Sequence, residues 1–111
     1  AMKNPGTCLR NMMDPHKNSA PKAINDEYWH DPGNLEWDYG GVHCNSSITN
    51  RWFYLMCQST RSIASVVPLL IAILKRLPPR ATFAHFATLA RRHTSVCNQT
   101  ATDTCLVAVG L

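Results

Sequence analysis

The longest apolar segment of the chain runs from Ile63 to Leu74 and predicts a helix. Within it, apolar residues recur at three- and four-residue spacing, at Ile63, Val66, Val67, Leu70 and Leu74. The intervening residues are also mostly apolar, so we expect this helix to be buried on most sides. Pro68 leaves its start open, because a proline either kinks a helix or occupies its first turn. In the second case the helix runs from about residue 67 to Leu77.

A second helix is predicted after Pro78 and Pro79, which stop the first. Thr82 is suited to cap its amino end. Its apolar positions repeat at helical spacing, at Phe83, Phe86, Ala87 and Ala90. Cations follow each predicted helix, where they favour the carboxyl end, at Lys75, Arg76, Arg91, Arg92 and His93. The two helices therefore form a hairpin with basic tips.

Shorter apolar or alternating runs predict strands. Residues 28–30 and 35–39 flank the turn sequence Asp-Pro-Gly-Asn, and the second run alternates aromatic and acidic residues, so we expect a β-hairpin. Residues 52–57 are apolar on both faces if extended, as in a central strand, although they could also begin a helix. Residues 105–109 are a short apolar run and predict a buried terminal strand.

These elements indicate one small α+β domain. The 111 residues, of which 45% are hydrophobic and 16% charged, are typical of a single folded domain. Residues 1–27 contain scattered prolines and no regular period, so we expect an irregular arm there and a domain over residues 28–111. No basic, apolar leader follows Ala1, so we expect that any secretion signal has been removed or never existed.

Charge divides the chain into an acidic front and a basic back. Six of the seven acidic residues precede Tyr39, and between Tyr39 and Thr102 there are seven basic residues and no acidic one. A basic block of this kind favours phosphate, an acidic protein surface or an anionic membrane as partner, unless it is simply a solvated face.

Cysteine usage favours an oxidising compartment. Five cysteines occur without a Cys-x-x-Cys pair, and we expect some of them to form disulfides whose pairing the sequence leaves open: Cys8, Cys44, Cys57, Cys97 and Cys105. The alternative is that several are reduced core residues of an intracellular protein. Two glycosylation sequons, at Asn45 and Asn98, each follow a cysteine directly and give further weight to secretion.

The aromatic segment resembles a family of secreted enzymes. Tyr28-x-His30, then Asn34, Glu36 and Trp37-Asp38-Tyr39, is similar to the Tyr-x-His strand and base-recognition segment of the small guanine-specific fungal ribonucleases. The resemblance implies RNA cleavage, with His30 as the family's first catalytic histidine and Glu36 as its base-recognition residue. No glutamate follows Glu36, so the family's second carboxylate has no counterpart.

Other chemistry is weakly indicated. His30, Asp31, His43 and Cys44 match no metal-ligand spacing, and no His-Glu-x-x-His sequence occurs, so we expect neither a metal nor a cofactor. Residues 63–74 could insert in a membrane, but a spanning helix needs about twenty apolar residues. Aromatic residues that could stack on nucleic acid lie in the acidic half, which weakens that alternative: Trp29, Trp37 and Tyr39.

The composition resembles that of small cysteine-containing effectors and toxins secreted by microbes. We therefore expect a non-enzymatic, extracellular protein that binds a host or competitor protein, or an anionic surface, through a basic face. Its binding residues would be the exposed bases and nearby aromatic anchors, at Arg80, Arg91, Arg92, Trp29 and Trp37. A ribonuclease and a membrane-active toxin are the alternatives, and the oligomeric state is open.

Overall fold

The structure is a computed structural model that describes residues 10–33 and 45–111. In these ranges the chain forms four α-helices: α1 (Ser47–Thr60), α2 (Ile63–Leu74), α3 (Phe83–Arg92) and α4 (Gln99–Ala108). Two short 3-10 helices, Pro15–Asn18 and Thr94–Val96, complete the regular structure. No strand occurs among the described residues. The predicted α+β class is therefore wrong, and the fold is helical.

The chain divides into two compact units, residues 1–51 and 52–111, and the boundary falls within α1. In the first unit the segment predicted as an irregular arm has its own ordered centre. Pro15 and Pro21 are fully buried, and the carboxylate of Asp26 accepts hydrogen bonds from the backbone N–H groups of Lys22 and Tyr28, at 2.7 and 2.9 Å. One acidic side chain thus organises a segment that has little regular secondary structure.

The second unit contains a helical core. Helix α3 packs against α2 and α4, and the 3-10 helix Thr94–Val96 packs against all three. Trp52 on α1 is fully buried and meets Phe86 on α3 edge-on, with ring centroids 5.0 Å apart. Edge-to-face packing is a favoured arrangement of aromatic rings. The large side chains of α1 and α3 therefore fix the centre of this unit.

Both predicted helices of the hairpin are present. Ser62 caps α2 by accepting a hydrogen bond from the N–H of Ser65, so the helix begins at Ile63 and Pro68 lies inside it. Proline removes the hydrogen bond to the carbonyl of Ala64. Because Ala64 and Pro68 are both exposed, water can satisfy that carbonyl.

Helix α2 is less buried than its composition predicts. Val66, Leu69 and Ile73 are buried, whereas an apolar stripe on the other side is exposed, at Ile63, Val67, Ile71 and Leu74. The prediction that this helix is buried on most sides is therefore wrong for the described part of the chain.

The predicted strand at residues 52–57 belongs instead to α1. The buried residues Ile48, Trp52 and Met56 are spaced four apart, which is the repeat of a helix face. The predicted strand begins at residue 52 and so leaves out Ile48. Its six residues are too few to show the repeat of a helix.

The predicted terminal strand at residues 105–109 is also wrong, because residues 105–108 form the last turns of α4. Cys105, Leu106 and Val109 are buried, while Val107 is 69% exposed. A strand would place residues 105, 107 and 109 on one face, whereas a helix places residues 105 and 109 together and turns 107 away.

The predicted β-hairpin at residues 28–39 is contradicted as far as the structure describes it. Residues 28–33 contain no strand and end in the predicted turn, where the N–H of Gly33 donates to the carboxylate of Asp31 at 2.9 Å. This side-chain hydrogen bond is typical of a turn that begins at an aspartate. Residues 34–39, the second half of the predicted hairpin, lie outside the described ranges.

Candidate functional site

The best-defined polar feature of the first unit is a clamp made by Asn45. Its amide oxygen accepts a hydrogen bond from the N–H of His30 at 3.0 Å, and its amide nitrogen donates to the carbonyl of His30 at 2.8 Å. The Asn45 residue is buried. A buried amide that satisfies both backbone groups of one residue is costly to lose, because each group would otherwise be buried without a partner.

The two residues after Asn45 hold other parts of the same unit. Ser46 accepts a hydrogen bond from the guanidinium of Arg10 at 3.1 Å. Ser47, which is buried at the first turn of α1, donates its hydroxyl to the carbonyl of Pro21 at 2.5 Å. Three consecutive side chains before and at the start of α1 thus tie down three upstream segments.

The clamp closes the chain segment between His30 and Asn45 at its base. This segment, residues 31–44, contains acidic and aromatic side chains together with Gly40, Gly41 and His43. We use the name anchored loop for the sequence range 31–44, which lies between the two clamp residues and of which the structure describes residues 31–33, and we take this range with its clamp as the candidate functional site.

Two carboxylates of the first unit, those of Asp26 and Asp14, are stabilised by hydrogen bonds and neighbouring charges. Burial opposes ionisation of Asp26, but hydrogen bonds from His16 and from three backbone N–H groups outweigh it and hold the pKa of this carboxyl below its usual value. The imidazole Nε2 of His16 lies 2.9 Å from the Asp26 carboxylate. A hydrogen bond with Lys22 likewise lowers the pKa of Asp14. Both carboxylates therefore have partners within the first unit, His16 for Asp26 and Lys22 for Asp14.

The basic residues predicted to bind a partner lie on the surface of the second unit. Arg80, Arg91 and Arg92 are exposed. The guanidinium of Arg91 donates to the carbonyl of Leu111 at 2.9 Å and lies 3.4 Å from the carboxylate of Asp103. Arg91 therefore has partners within its own unit, and binding through these arginines stays a prediction.

The residues predicted from the aromatic segment fall partly on the anchored loop. His30 is half-buried and held through its backbone, and Trp29 beside it is half-buried. Glu36, Trp37 and Tyr39 lie outside the described ranges, as do His43, Cys44 and Cys8. The structure thus describes the base of the predicted aromatic segment and not its aromatic-acidic half.

The two sequons have different surroundings. The amide nitrogen of Asn45 is the atom that a glycan would occupy, and it is already bonded to the carbonyl of His30. Asn98 is exposed and caps α4 through its amide oxygen, which accepts from the N–H of Ala101 at 2.9 Å. A glycan on Asn45 would break the clamp, whereas one on Asn98 would leave the helix cap in place.

Sequence reasoning missed the clamp, because Asn45 and Ser47 were interpreted only as members of a sequon. A usable signal was present, since asparagine and serine are typical residues at the amino end of a helix. That signal would have placed the start of α1 near residue 47. It would not have revealed that the same side chains reach His30 and Pro21, which lie far away in sequence.

A comparison with models of protein families identifies the family of this helical chain. The sequence model of the thermolysin metallopeptidase, alpha-helical domain, matches residues 1–107. The chain belongs to that family. No curated protein sequence matches the chain.

Membership of the thermolysin metallopeptidase family overturns several predictions from the sequence. The similarity to guanine-specific ribonucleases is wrong, and so is the class of microbial effectors and toxins, together with the non-enzymatic binding function inferred from it. The physical reason is that a dozen residues and an overall composition carry little fold information, whereas the family match extends over nearly the whole chain.

The described residues do not fit a metal site. Catalytic zinc in thermolysin is held by two histidines and a glutamate, and the metalloprotease signature is His-Glu-x-x-His. That signature is absent from the 111 residues, and no group of three histidine, cysteine, aspartate or glutamate side chains within residues 10–33 and 45–111 could hold a metal ion. We therefore assign no metal-dependent step to these residues.

Two further predictions concern membranes and location. Among the helices that the structure describes, including the one over residues 63–74, none has both the length and the apolar character needed to cross a bilayer. Thermolysin-type peptidases are typically secreted, so the family is compatible with the extracellular location expected from the sequence.

Proposed function

We propose that this chain is the helical domain of a thermolysin-type metallopeptidase and contributes to the hydrolysis of peptide bonds. The observation that carries the proposal is the family match over residues 1–107. The helical fold of the described part supports it, because a domain with that description should be built from helices. We propose an extracellular site of action for the same reason.

The contribution of this domain is to position side chains that act on the substrate. The anchored loop offers residue types that peptide hydrolysis uses, namely carboxylates at Glu36 and Asp38 and an imidazole at His43. His43 comes two residues before Asn45, so the buried clamp fixes the backbone close to it in sequence. A fixed base limits the conformations over which such a side chain must be ordered.

Two of the other four histidines, His16 and His85, have side-chain partners within the described structure. His16 is bonded to Asp26, and the imidazole of His85 accepts a hydrogen bond from the N–H of Thr82 at 3.0 Å in the capping box of α3. Both are committed to local structure. We propose that His43, which lies two residues before the clamp residue Asn45, transfers a proton or donates a hydrogen bond during peptide hydrolysis, with the metal held by residues other than those described.

The test is a peptidase assay on the protein that carries these residues. Cleavage of an internally quenched peptide should be abolished by a zinc chelator and restored by added Zn²⁺. Removing a general acid-base group typically lowers the rate by a factor of about 10² to 10⁴, so His43→Ala should lower kcat by roughly that factor.

The matched control is His85→Ala, which removes a surface imidazole from α3 and should leave kcat nearly unchanged. Cleavage that the chelator does not affect would reject the metallopeptidase assignment. Chelator-sensitive cleavage with equal rates for His43→Ala and wild type would keep the family assignment and reject the role of the anchored loop.

A further inference from the structure

One of the two asparagine sequons lies on the surface of the second unit, outside the candidate site. Asn98, Gln99 and Thr100 match the Asn-x-Thr acceptor sequence for N-linked glycans, and all three residues are exposed. They stand at the start of α4, where Asn98 is the cap residue and the helix begins at Gln99. The acceptor residue and the threonine that the sequon requires are thus exposed together.

The geometry of the helix cap leaves the acceptor atom of Asn98 open. The amide oxygen of Asn98 accepts a hydrogen bond from the N–H of Ala101 at 2.9 Å, whereas its amide nitrogen makes no hydrogen bond to the described part of the chain. Glycosylation joins the sugar to this nitrogen and leaves the amide oxygen as an acceptor, so the cap of α4 is kept after modification.

No crosslink restricts the residue next to the acceptor. Cys97, which directly precedes Asn98, is a free thiol in the structure, as are the two other described cysteines, Cys57 and Cys105. The backbone carbonyl of Asn98 accepts a hydrogen bond from the hydroxyl of Thr102 at 2.7 Å, which orders the backbone and leaves the side-chain amide nitrogen available.

The other sequon, at Asn45, is closed by its surroundings. The Asn45 residue is 3% exposed, and its amide nitrogen donates to the carbonyl of His30 at 2.8 Å. Ser47, which supplies the hydroxyl of this sequon, is buried and donates that hydroxyl to the carbonyl of Pro21. A glycan is a bulky, solvated group that belongs on the protein surface. Both reactive side chains of this sequon therefore make internal hydrogen bonds instead.

We propose that Asn98 is an N-glycosylation site and that the folded protein carries no glycan on Asn45. The donor is an oligosaccharide joined through a diphosphate to a membrane lipid. The amide nitrogen of Asn98 attacks the anomeric carbon of the first sugar, so that a nitrogen–carbon bond forms and the bond from this carbon to the phosphate oxygen breaks. The nitrogen loses one proton to a base of the transferase, and the lipid diphosphate leaves with the bonding electron pair.

The proposal rests on the proposed extracellular location, because the transferase acts on chains that enter the secretory pathway. Transfer to the growing chain precedes folding, so a sugar reaches Asn45 only before the clamp has closed. A chain modified there loses the hydrogen bond to His30 or buries a polar sugar, and either is costly. A sugar on Asn98 meets neither obstacle. Since the sequence contains only these two sequons, the folded, secreted protein should carry one N-linked glycan.

The experiment maps glycosylation sites on the full protein secreted from a eukaryotic cell line. Enzymatic removal of N-linked glycans in heavy-oxygen water converts each modified asparagine to an isotope-labelled aspartate, which mass spectrometry locates. Trypsin places the two sequons on different peptides, because it cuts between them at Arg51 and Arg92. We expect the label at Asn98, no label at Asn45, and a single mobility shift on a gel when the glycan is removed.

Threonine variants supply the matched controls. Thr100→Ala removes the hydroxyl that the sequon requires but keeps the Asn98 cap, so it should abolish the label and the mobility shift. Thr100→Ser keeps a hydroxyl and should retain both. The proposal is overturned by secreted protein without a label at Asn98, by a label at Asn45, or by a label that persists in Thr100→Ala. If the protein stays in the cell, an unlabelled Asn98 in the retained secretory-pathway fraction overturns it equally.

The peptidase assay separates this proposal from the proposed function. Asn98 and Thr100 lie in the second unit, outside the anchored loop and its clamp. Removal of the glycan and Thr100→Ala should therefore both leave kcat nearly unchanged. A glycosylated protein without chelator-sensitive cleavage would reject the peptidase function alone, whereas an active protein with an unmodified Asn98 would reject the glycosylation site alone.

Discussion

At the scale of single residues, the first unit depends on a few polar side chains that reach across long stretches of sequence. Asn45 satisfies both backbone groups of His30, and Ser47 satisfies the carbonyl of Pro21. Asp26 gathers three backbone N–H groups around one carboxylate. In a segment with so little regular secondary structure, these side chains take over the hydrogen bonding that a helix or sheet would provide.

Replacing Asn45 should therefore destabilise the protein more than replacing an ordinary surface amide. Asn45→Ala leaves two backbone groups of His30 without their partner, so we expect a loss of about 1–3 kcal/mol in the free energy of unfolding. Chemical denaturation of the variant measures it. Asn50→Ala, on α1 and half-buried, is the matched control and should cost less. Equal losses in the two variants would show that the clamp carries no special weight.

Asp26 predicts a dependence of stability on pH. Its folded pKa lies below the ordinary value of 3.8. A carboxyl with a depressed folded pKa contributes stability that is fully present above the unfolded value and is lost as pH falls through the folded one. The difference in unfolding free energy between wild type and Asp26→Asn should thus be constant above about pH 5 and shrink below pH 4. A difference that persists unchanged to pH 2 would contradict this.

At the scale of elements, local signals defined the two middle helices well and the other two poorly. Ser62 and Thr82 cap α2 and α3. In both helices apolar residues recur at helical spacing over ten or more residues, which is long enough to be recognised in the sequence. Strands were favoured for residues 52–57, with a helix as the alternative that the structure bears out, and predicted for residues 105–109, because these apolar runs span only five or six residues. Periodicity cannot distinguish helix from strand in so short a run.

Single lysine substitutions on α4 distinguish the two assignments experimentally. In the helix, Leu106 and Val109 are buried and Val107 is exposed, so Leu106→Lys should prevent folding or lower the melting temperature strongly. Val107→Lys should change the free energy of unfolding by no more than about 0.5 kcal/mol. A strand would instead bury residue 107 together with residues 105 and 109. A severe loss in Val107→Lys would therefore reject the helix.

At the scale of the whole molecule, the sequence shows an acidic front and a basic back, and the structure shows that some of the acidic residues make internal contacts. The acidic front includes Asp14 and Asp26, which the structure uses internally, while the remaining front acids are concentrated in or near the anchored loop. The basic back follows the helices. The division corresponds approximately to the two compact units.

The exposed stripe on α2 makes a prediction about solubility. Its apolar side chains are exposed, so polar replacements at the more exposed positions should cost little stability. The double variant Ile63→Lys and Ile71→Lys should keep the wild-type melting temperature and remain monodisperse at higher concentration in light scattering. Leu69 on the same helix is buried, so Leu69→Lys is the contrasting control and should disrupt the packing of α2. A large drop in melting temperature for the double variant would show that the stripe is buried in solution.

By itself the sequence determined the helices at residues 63–74 and 83–92, the turn at residues 31–33 and the uneven charge, because each depends on neighbours along the chain. Only the tertiary structure decided that residues 52–57 and 105–108 are helical and that one amide joins His30 to Asn45. The physical reason is that short apolar runs take their conformation from the core that buries them. A hydrogen bond across fifteen residues likewise leaves no local pattern.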